Sequence, residues 1–390
     1  MTKTYGIFSA HFAPTVGGVE VFTEGIARAL AEHGHRIVIV TSNTAHLAPH
    51  EQLFDNVEVF RLPCRNLLKG RLPLPRVTSA YKELLRSIEA IPFDGIVVNT
   101  RFYPHSLVGL KLARKQGIRP VVIDHGADYL TLNNPLVDQV IKGYEHIITA
   151  LIKRYQPACY GISAQSLHWL RTFGIEGAGV IPNAIDADAF IASTSPRSLR
   201  QELGIDADRV LIGLTGRLIP EKGLQAILAA ARQLNARGCD ALFLIAGEGP
   251  ESETLRQANL PNLQLLGTLS SADVSRLLQE TEIFCFPSRS EGFGSSLLEA
   301  AICGNYLICT DVGIARDVLS LPSAGHILKD DNQGSEIAEA VMAYCAHRIS
   351  ARAAATRNGE AARKLFTWKE SAHQLMRACA EAQGASGKPL

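Results

Sequence analysis

The sequence predicts an α/β fold with two parallel-sheet domains, and three observations carry that expectation. Short apolar runs alternate with amphipathic segments along most of the chain, as in parallel sheets wrapped by helices. The chain has 390 residues, more than one hydrophobic core comfortably organises. Each half also places a glycine-bearing turn between an apolar strand and a helix, where unpaired backbone N–H groups and the helix dipole favour a phosphate.

Apolar residues make up 46% and charged residues 20% of the sequence, the profile of a soluble globular protein. A formal net charge of +1 exerts no global pull on nucleic acid, so no nucleic-acid partner is expected, and any electrostatic partner must meet a local patch. The cysteines (Cys64, Cys159, Cys239, Cys285, Cys303, Cys309, Cys345 and Cys379) are scattered without a C-x-x-C pair. Reduced thiols in a cytoplasmic location are therefore expected. The chain runs directly into a strand-like segment at Tyr5 with no leader pattern, and it lacks an apolar stretch of ~20 residues. No repeat with a period of about 20 to 50 residues occurs, which excludes a solenoid.

The first half predicts strands at Tyr5 to Ala10, Arg36 to Thr41, Val57 to Phe60, Gly95 to Asn99, Val121 to Asp124 and Cys159 to Ile162, with a helix over Val19 to His33. Right-handed crossovers would set these in one Rossmann-like sheet with ligands at the carboxyl ends of the strands. Gly17 and Gly18 stand at the start of the first helix, where glycine permits close approach of a phosphate. His125, at the carboxyl end of the strand 120–124, faces the ligand side, and Asp128 follows as a weaker candidate. A segment rich in Ser, Thr and Pro, 192–200, reads as the linker. Residues 1–192 form the expected first domain and 200–366 the second.

In the second half, Val210 to Thr215 leads into Gly216-Arg217-Leu-Ile-Pro-Glu-Lys222-Gly223. Arginine and lysine at a strand-to-helix junction suit a diphosphate, one as a planar fork and the other as a point charge; the plainer reading of Lys222 is a surface pair with Glu221. Further strands are expected in 241–246, 262–267 and 307–310. The most informative stretch is 282–309: a buried strand at Ile283 to Phe286, a turn through Glu291-Gly292-Phe293-Gly294, a helix capped by Ser295 or Ser296 and carrying Glu299, and a stop at Gly304. Along a helix, eight residues span roughly 12 Å. Glu291 and Glu299 are thus too far apart to flank one glycosidic bond, whose paired carboxylates lie ~5 to 9.5 Å apart, and suit the two ends of one elongated ligand. The plainer alternative makes Glu291 a solvated loop charge and Glu299 a helix-surface charge.

Glu291-Gly-Phe-Gly followed by Leu-Leu-Glu299-Ala resembles the E-x7-E signature of the family-4 retaining glycosyltransferases, two-domain enzymes of the GT-B fold. The resemblance covers about Tyr5 to Leu319 and implies two Rossmann-like domains facing each other across a cleft, the first binding the acceptor and the second the nucleotide sugar. Residues 367–390 are implied to be a C-terminal helix crossing back to the first domain plus a flexible tail. Glu291 and the turn Gly292, Phe293 and Gly294 are implied to contact the donor sugar, and Glu299 the ribose. Gly216, Arg217 and Lys222, which resemble the family's G-R-L-x-x-x-K-G motif, are implied to hold the donor phosphates. Gly17-Gly18-Val-Glu20 resembles its GGxE loop, directed at the diphosphate, and His125 a histidine beside the reacting carbon. Ile181-Pro-Asn183-Ala-Ile-Asp186 is similar to the family's I-P-N-G-[VI]-D segment with Ala184 in the glycine position. Ser295-Ser296 and Asn305-Tyr306 depart from the family pattern and leave the donor sugar open.

His125, Arg217, Lys222 and Glu291 are therefore the expected catalytic set, with Gly17, Gly18, Gly216, Gly292, Phe293, Gly294 and Glu299 completing the donor site. No cofactor and no metal are expected, because Arg217 and Lys222 supply the positive charge; Asp186-Ala-Asp188 is read as turn-capping and not as a metal motif. The implied reaction moves a sugar from a nucleoside diphosphate to a glycan or lipid-linked hydroxyl acceptor, with retention, in polysaccharide or lipopolysaccharide biosynthesis. A nucleotide-sugar epimerase of the same fold and a non-catalytic sugar-nucleotide sensor are the rivals. Donor incubated without acceptor separates the epimerase from the transferase. Between Arg61 and Arg86 the residues Arg61, Arg65, Lys69, Arg71, Arg76, Lys82 and Arg86 face only one acid, Glu83, and interleave with Leu67, Leu68, Leu72 and Leu74. Such a segment suits an anionic membrane surface, or else a solvated helix and loop whose leucines pack inward.

Overall fold

The computed structural model describes residues 2–15, 17–131, 134–329 and 333–384, without the side chain of Lys69. The chain forms two compact units, one of Met1–Ala184 with Trp368–Leu390 and one of Ile185–Thr367. The tail expected after the last helix, 385–390, lies outside the described residues.

The first unit contains β1 (Thr4–Ser9), α1 (Gly18–Glu32), β2 (Arg36–Ser42), β3 (His50–Phe54), β4 (Val57–Leu62), a separate hairpin of β5 (Cys64–Leu67) and β6 (Leu72–Pro75), α2 (Ser79–Glu89), β7 (Gly95–Asn99), α3 (Ser106–Lys115), β8 (Val121–Asp124), α4 (Pro135–Lys153), β9 (Ala158–Gly161), α5 (Ala164–Trp169) and β10 (Gly179–Val180). Its sheet runs in the order β10-β9-β8-β7-β1-β2-β4-β3. Every pairing is parallel except β3 against β4. The chain departs from β1 in both directions, so the switch point lies between β1 and β7, whose carboxyl ends are Ser9 and Asn99.

The second unit contains α6 (Ala187–Ala192), α7 (Leu199–Glu202), β11 (Val210–Thr215), α8 (Leu224–Ala236), β12 (Ala241–Ala246), α9 (Ser252–Gln257), β13 (Leu263–Gly267), α10 (Ser271–Glu280), β14 (Ile283–Phe286), α11 (Ser295–Ile302), β15 (Tyr306–Thr310), α12 (Ala315–Val318), β16 (Gly325–Leu328), α13 (Gln333–Ala346) and α14 (Arg348–Leu365). Its all-parallel sheet follows the doubly wound order β13-β12-β11-β14-β15-β16. Every residue of β11, β12 and β14 is buried, which is why these strands read as continuous apolar runs and not as alternating ones. The switch point falls between β11 and β14, and ligands of such sheets bind outside the carboxyl ends at that place.

The last helix, α15 (Trp368–Gly384), packs on α1, β7 and β8. Ser371 Oγ donates to Pro182 O at 2.8 Å and Gln383 Nε2 to Arg119 O at 3.2 Å, and Trp368 lies 6.2 Å from the Phe22 ring of α1. The division between units falls at Ala184/Ile185, earlier than the linker expected at 192–200. The reason is that α6 is fastened to α10: Ser275 Oγ donates to Phe190 O at 2.8 Å and Gln279 Nε2 to Ile191 O at 3.1 Å. The cysteines are free thiols, and burial pushes Cys159, Cys303, Cys309 and Cys379 up to about 12, so they behave as core residues.

Gly313, after β15, has φ +57, and a Cβ there would lie 2.0 Å from Phe293 O. The loop that carries Phe293 is therefore seated directly on the loop after β15, and an added methyl group must push the two apart. Gly313→Ala is expected to lower stability by ~2 kcal/mol or more, a fall of roughly 4 to 8 °C in Tm for a unit of this size. Calorimetry checks this, and an unchanged Tm would contradict the seating.

Candidate active site

In the second unit the site is assembled at the switch point. β11 delivers Gly216 and Arg217, both exposed, and no described carboxylate pairs with the Arg217 guanidinium. A 3-10 turn, Pro220–Lys222, then carries Lys222 toward the end of β14. There Lys222 Nζ pairs with Glu291 Oε1, and the ammonium lies 5.2 Å from the Phe286 ring centroid. Ser288 Oγ donates to the same Glu291 oxygen at 2.7 Å. Arg289 N donates to Glu221 O at 2.8 Å, tying the two loops together through the backbone. The surface pair of Lys222 with Glu221 does not form; Lys222 spans to the carboxylate across the switch point instead.

Helix α11 starts at Gly294, which has φ 93 and no side-chain cap. The expected cap by Ser295 or Ser296 is thus corrected: both serines are already inside the helix, and Leu297 N and Leu298 N turn back to Gly294 O. No described group accepts from the N–H of Ser295 or Ser296, so two helix-start donors remain for an anion. Phe293, expected in the donor site, turns into the unit: its side chain is buried, its ring stands edge-on to Phe366 at 6.0 Å, and only its backbone is left at the turn. Glu299 sits one turn into α11, partly exposed, with no described donor or cation on its carboxyl. Burial pushes its pKa up to about 7. An acceptor of this kind, close-packed and unpaired, suits neutral hydroxyl donors such as a sugar diol.

The first unit brings the other candidates together in part. Gly17 precedes α1 in an extended conformation, φ −167, and a Cβ at Gly18 would meet nothing within 4 Å. A Cβ at Gly17 would instead lie 2.6 Å from Glu20 Oε2, so the Glu20 carboxylate covers Gly17 while Gly18 stays open, and neither glycine is demanded by a strained turn. Phe22, one turn later, stands edge-on to His125 with ring centroids 4.9 Å apart. His125 follows β8; its Nε2 is buried without a described partner, and burial pushes the imidazole down to about 3. It is a neutral hydrogen-bonding group at physiological pH and cannot serve as a cation for a phosphate. Asp128 is exposed, and its Oδ1 accepts from Tyr129 N at 2.7 Å, a local turn with no link to His125.

Sequence reasoning missed the support beneath His125. Arg101, buried at the end of β7, donates from Nε to Asp124 Oδ2 at 3.0 Å, from Nη2 to Glu145 Oε2 at 3.1 Å and from Nη1 to Thr149 Oγ1 at 3.0 Å. Its guanidinium lies 3.5 Å from the Phe173 ring centroid. The N–H groups of His125 and Gly126 in turn donate to the Asp124 carboxylate, so this cluster sets the turn on which His125 stands. The available signal was a run of polar residues, Asn99-Thr100-Arg101, directly after an apolar strand. At the carboxyl ends of the same sheet lies a cavity of about 520 Å³ lined by His11, Glu20, Asn66, Arg71 and Tyr103 among others. Asp186, finally, caps α6, its Oδ1 accepting from Ala189 N at 3.0 Å, and no cluster of three His, Cys, Asp or Glu side chains among the described residues is placed to hold a metal ion.

Two Rossmann-like units in one chain, with a phosphate-fitting switch point in the second, define the GT-B class of glycosyltransferase folds. Comparison with known proteins agrees: residues 16–189 match the family described as Glycosyltransferase Family 4, and residues 196–364 that described as Glycosyl transferases group 1. The two matches support a glycosyltransferase of group 1. It is similar to a subunit of the human phosphatidylinositol N-acetylglucosaminyltransferase, 27% identical over 82% of this chain, and the match spans 64% of the human protein's length. Among solved structures it is similar to sucrose-phosphate synthase from Thermosynechococcus elongatus (18% identity, 98% of this chain and 100% of that one, TM-score 0.73). It is also similar to Anabaena HepE in complex with UDP and glucose (16% identity, 97% and 100%, TM-score 0.69). At such identities the solved structures speak for the fold alone.

The raised pKa of Glu299 fixes a pH dependence. The folded chain holds a proton there that the unfolded chain has lost between about pH 4.5 and 7, so stability falls as pH rises through that window, by as much as ~3 kcal/mol. Denaturant unfolding near pH 5 and near pH 8 is expected to show a steeper loss for the wild type than for Glu299→Gln. Equal losses would place the carboxyl in ordinary solvent.

Proposed function

We propose that the protein is a retaining glycosyltransferase that moves a sugar from a nucleoside diphosphate to a hydroxyl acceptor, without a metal ion or cofactor. The observation that carries this reading is the switch point of the second unit, where an unpaired Arg217, the Lys222–Glu291 pair, two free helix-start N–H groups and an unpaired Glu299 lie along one run of loops. The Ser295 and Ser296 N–H groups and Arg217 suit the diphosphate, Glu299 the ribose hydroxyls, and the backbone of the 291–294 turn with Glu291 the sugar. That HepE is a complex with UDP and glucose, and that the human relative's name joins phosphatidylinositol with N-acetylglucosaminyl transfer, support such a donor and such a reaction.

In this reading the diphosphate draws Lys222 away from Glu291, which then accepts from sugar hydroxyls. The acceptor O–H approaches the anomeric carbon on the face of the departing diphosphate. As the bond from that carbon to the phosphate oxygen breaks and the bond to the acceptor oxygen forms, the acceptor proton passes to the departing phosphate oxygen. Negative charge grows on the diphosphate, and Arg217 and Lys222 stabilise it, so electrostatics and positioning supply most of the catalysis. We propose neutral His125 as a hydrogen-bonding partner for a sugar hydroxyl and not as a cation. The cavity of the first unit, lined by Glu20, Tyr103, Asn66 and Arg71, suits a polar acceptor; an epimerase would have no use for it. We place the reaction in cell-envelope glycan assembly, in a reducing cytoplasmic compartment.

Steady-state kinetics on the preferred donor, found by screening nucleotide sugars for thermal stabilisation, test the assignment. Arg217→Ala and Lys222→Ala are each expected to slow the chemical step by ~10²-fold or more. Glu299→Ala is expected to weaken donor binding, whereas Glu291→Ala mainly lowers kcat. Near-native turnover of the two cation variants at saturating donor, in chelator, would refute the charge assignment, and isomerised sugar released without acceptor would favour the epimerase.

A further inference from the structure

Two elements beside the cavity of the first unit expose aliphatic side chains that the proposed chemistry does not use. The hairpin β5–β6 pairs Asn66 with Pro73 and Arg65 with Leu74, and Leu67 with Leu72. Asn66 Nδ2 donates to Thr44 O at 3.0 Å, Pro73 is buried, and Asn66 lines the cavity, so that face is turned to the body of the unit. Strand alternation puts Arg65, Leu67, Leu72 and Leu74 on the opposite, outward face. Leu67 is 44% exposed, and Leu68 at the tip is 43% exposed in a left-handed conformation, φ 51, which is uncommon for leucine. Leu67 and Leu68 thus do not pack inward, whereas Leu72 and Leu74 are half-buried.

The second element is α4, reached through the loop that contributes Leu130 to the same cavity. Leu136, Val140 and Ile147 are 82%, 72% and 65% exposed, with exposed Gly143 between them. Their spacing places them along one helical face, opposite the buried Ile141, Ile148 and Ile152. Arg65, Arg71 and Arg76 of the hairpin region are exposed, and no described carboxylate pairs with them. Unpaired guanidinium groups beside outward leucines match an anionic apolar boundary. A second copy of the chain meeting this face about a two-fold axis would set the same guanidinium groups against each other. No helix among the described residues is long and apolar enough to cross a membrane, so the contact is with a surface.

We propose that the hairpin β5–β6 and the exposed face of α4 form a two-point contact with an anionic bilayer, holding the cavity between them at the head-group layer, where it receives the polar head of a lipid-linked acceptor. The acceptor part rests on the proposed function; the contact itself does not. Leu67, Leu68, Leu136 and Val140 enter the head-group and acyl boundary, and the arginines meet lipid phosphates.

Flotation of the full chain with phosphatidylglycerol–phosphatidylcholine vesicles and with phosphatidylcholine vesicles tests it, using the wild type and the double variants Leu67→Glu/Leu68→Glu and Leu136→Glu/Val140→Glu. The wild type is expected to float with the anionic vesicles at low salt and to be released as salt rises. Each double variant is expected to lower the bound fraction about tenfold with donor affinity unchanged. A wild type that stays at the bottom of the gradient with anionic lipid, or variants that float as it does, would overturn the contact. So would a wild-type dimer in sedimentation velocity that Leu136→Glu/Val140→Glu converts to monomer. Transfer to a soluble acceptor without vesicles reads the proposed function separately: its loss with flotation intact would remove the acceptor and leave the bilayer contact standing.

Discussion

The second unit depends on a contact between backbones: a Cβ on Gly223, at φ +69, would lie 2.0 Å from Pro287 O. No other residue type can stand there without moving the end of β14 away from the loop after β11. Lys222 directly precedes that glycine, so the approach is what sets its ammonium against Glu291. The hydrogen bond from Arg289 N to Glu221 O closes the same seam from the other side. A parallel sheet with this winding order already opens at its switch point, and the close approach of the loops turns that opening into a charged site.

The electrostatic arrangement around the seam is preorganised. Lys222 is held by Glu291, which Ser288 holds in turn, while Arg217 stands free of carboxylates among the described residues. Glu299, one turn into α11, is pushed by burial up to about 7 and so carries less than a full negative charge at neutral pH near the helix start, which favours an anion. In the function proposed above, a diphosphate at this site would exchange one Lys–carboxylate contact for a Lys–phosphate contact and gain Arg217 and two backbone donors. The first unit treats its histidine the same way: buried Arg101, Asp124 and Glu145 fix the turn beneath His125, and the imidazole itself is left neutral.

Much of this was legible in the sequence, because buried parallel strands announce themselves. The runs at 5–10, 36–41, 95–99, 121–124, 210–215, 241–246, 283–286 and 307–310 are all strands, since burial on both faces leaves no polar alternation to confuse with a helix. The elements that escaped were short or peripheral. β3 is a half-exposed, polar edge strand, β10 is only Gly179–Val180, and β16, Gly325–Leu328, is four residues long. The hairpin β5–β6 hid behind its prolines, which are tolerated because the pair stands outside the main sheets. At the site, residue type revealed Arg217, Lys222, Glu291 and Glu299, but conformation decided the rest. Gly294 took the start of α11 from the serines, and Phe293 turned to Phe366. The partnership of Arg101 with Asp124 and Glu145 joins three strand and helix ends separated by up to 44 positions, a contact that no local pattern encodes.

The central claim is that the loops at the carboxyl ends of β11 and β14, with the start of α11, hold a nucleoside diphosphate by themselves. Amide hydrogen exchange of the full chain, with and without saturating nucleoside diphosphate in the presence of a chelator, measures this directly. The account predicts new protection centred on 216–223 and 291–299, including the Ser295 and Ser296 N–H groups that have no partner among the described residues. Binding that leaves those amides exchanging as before, or that appears only when a divalent metal is restored, would contradict it.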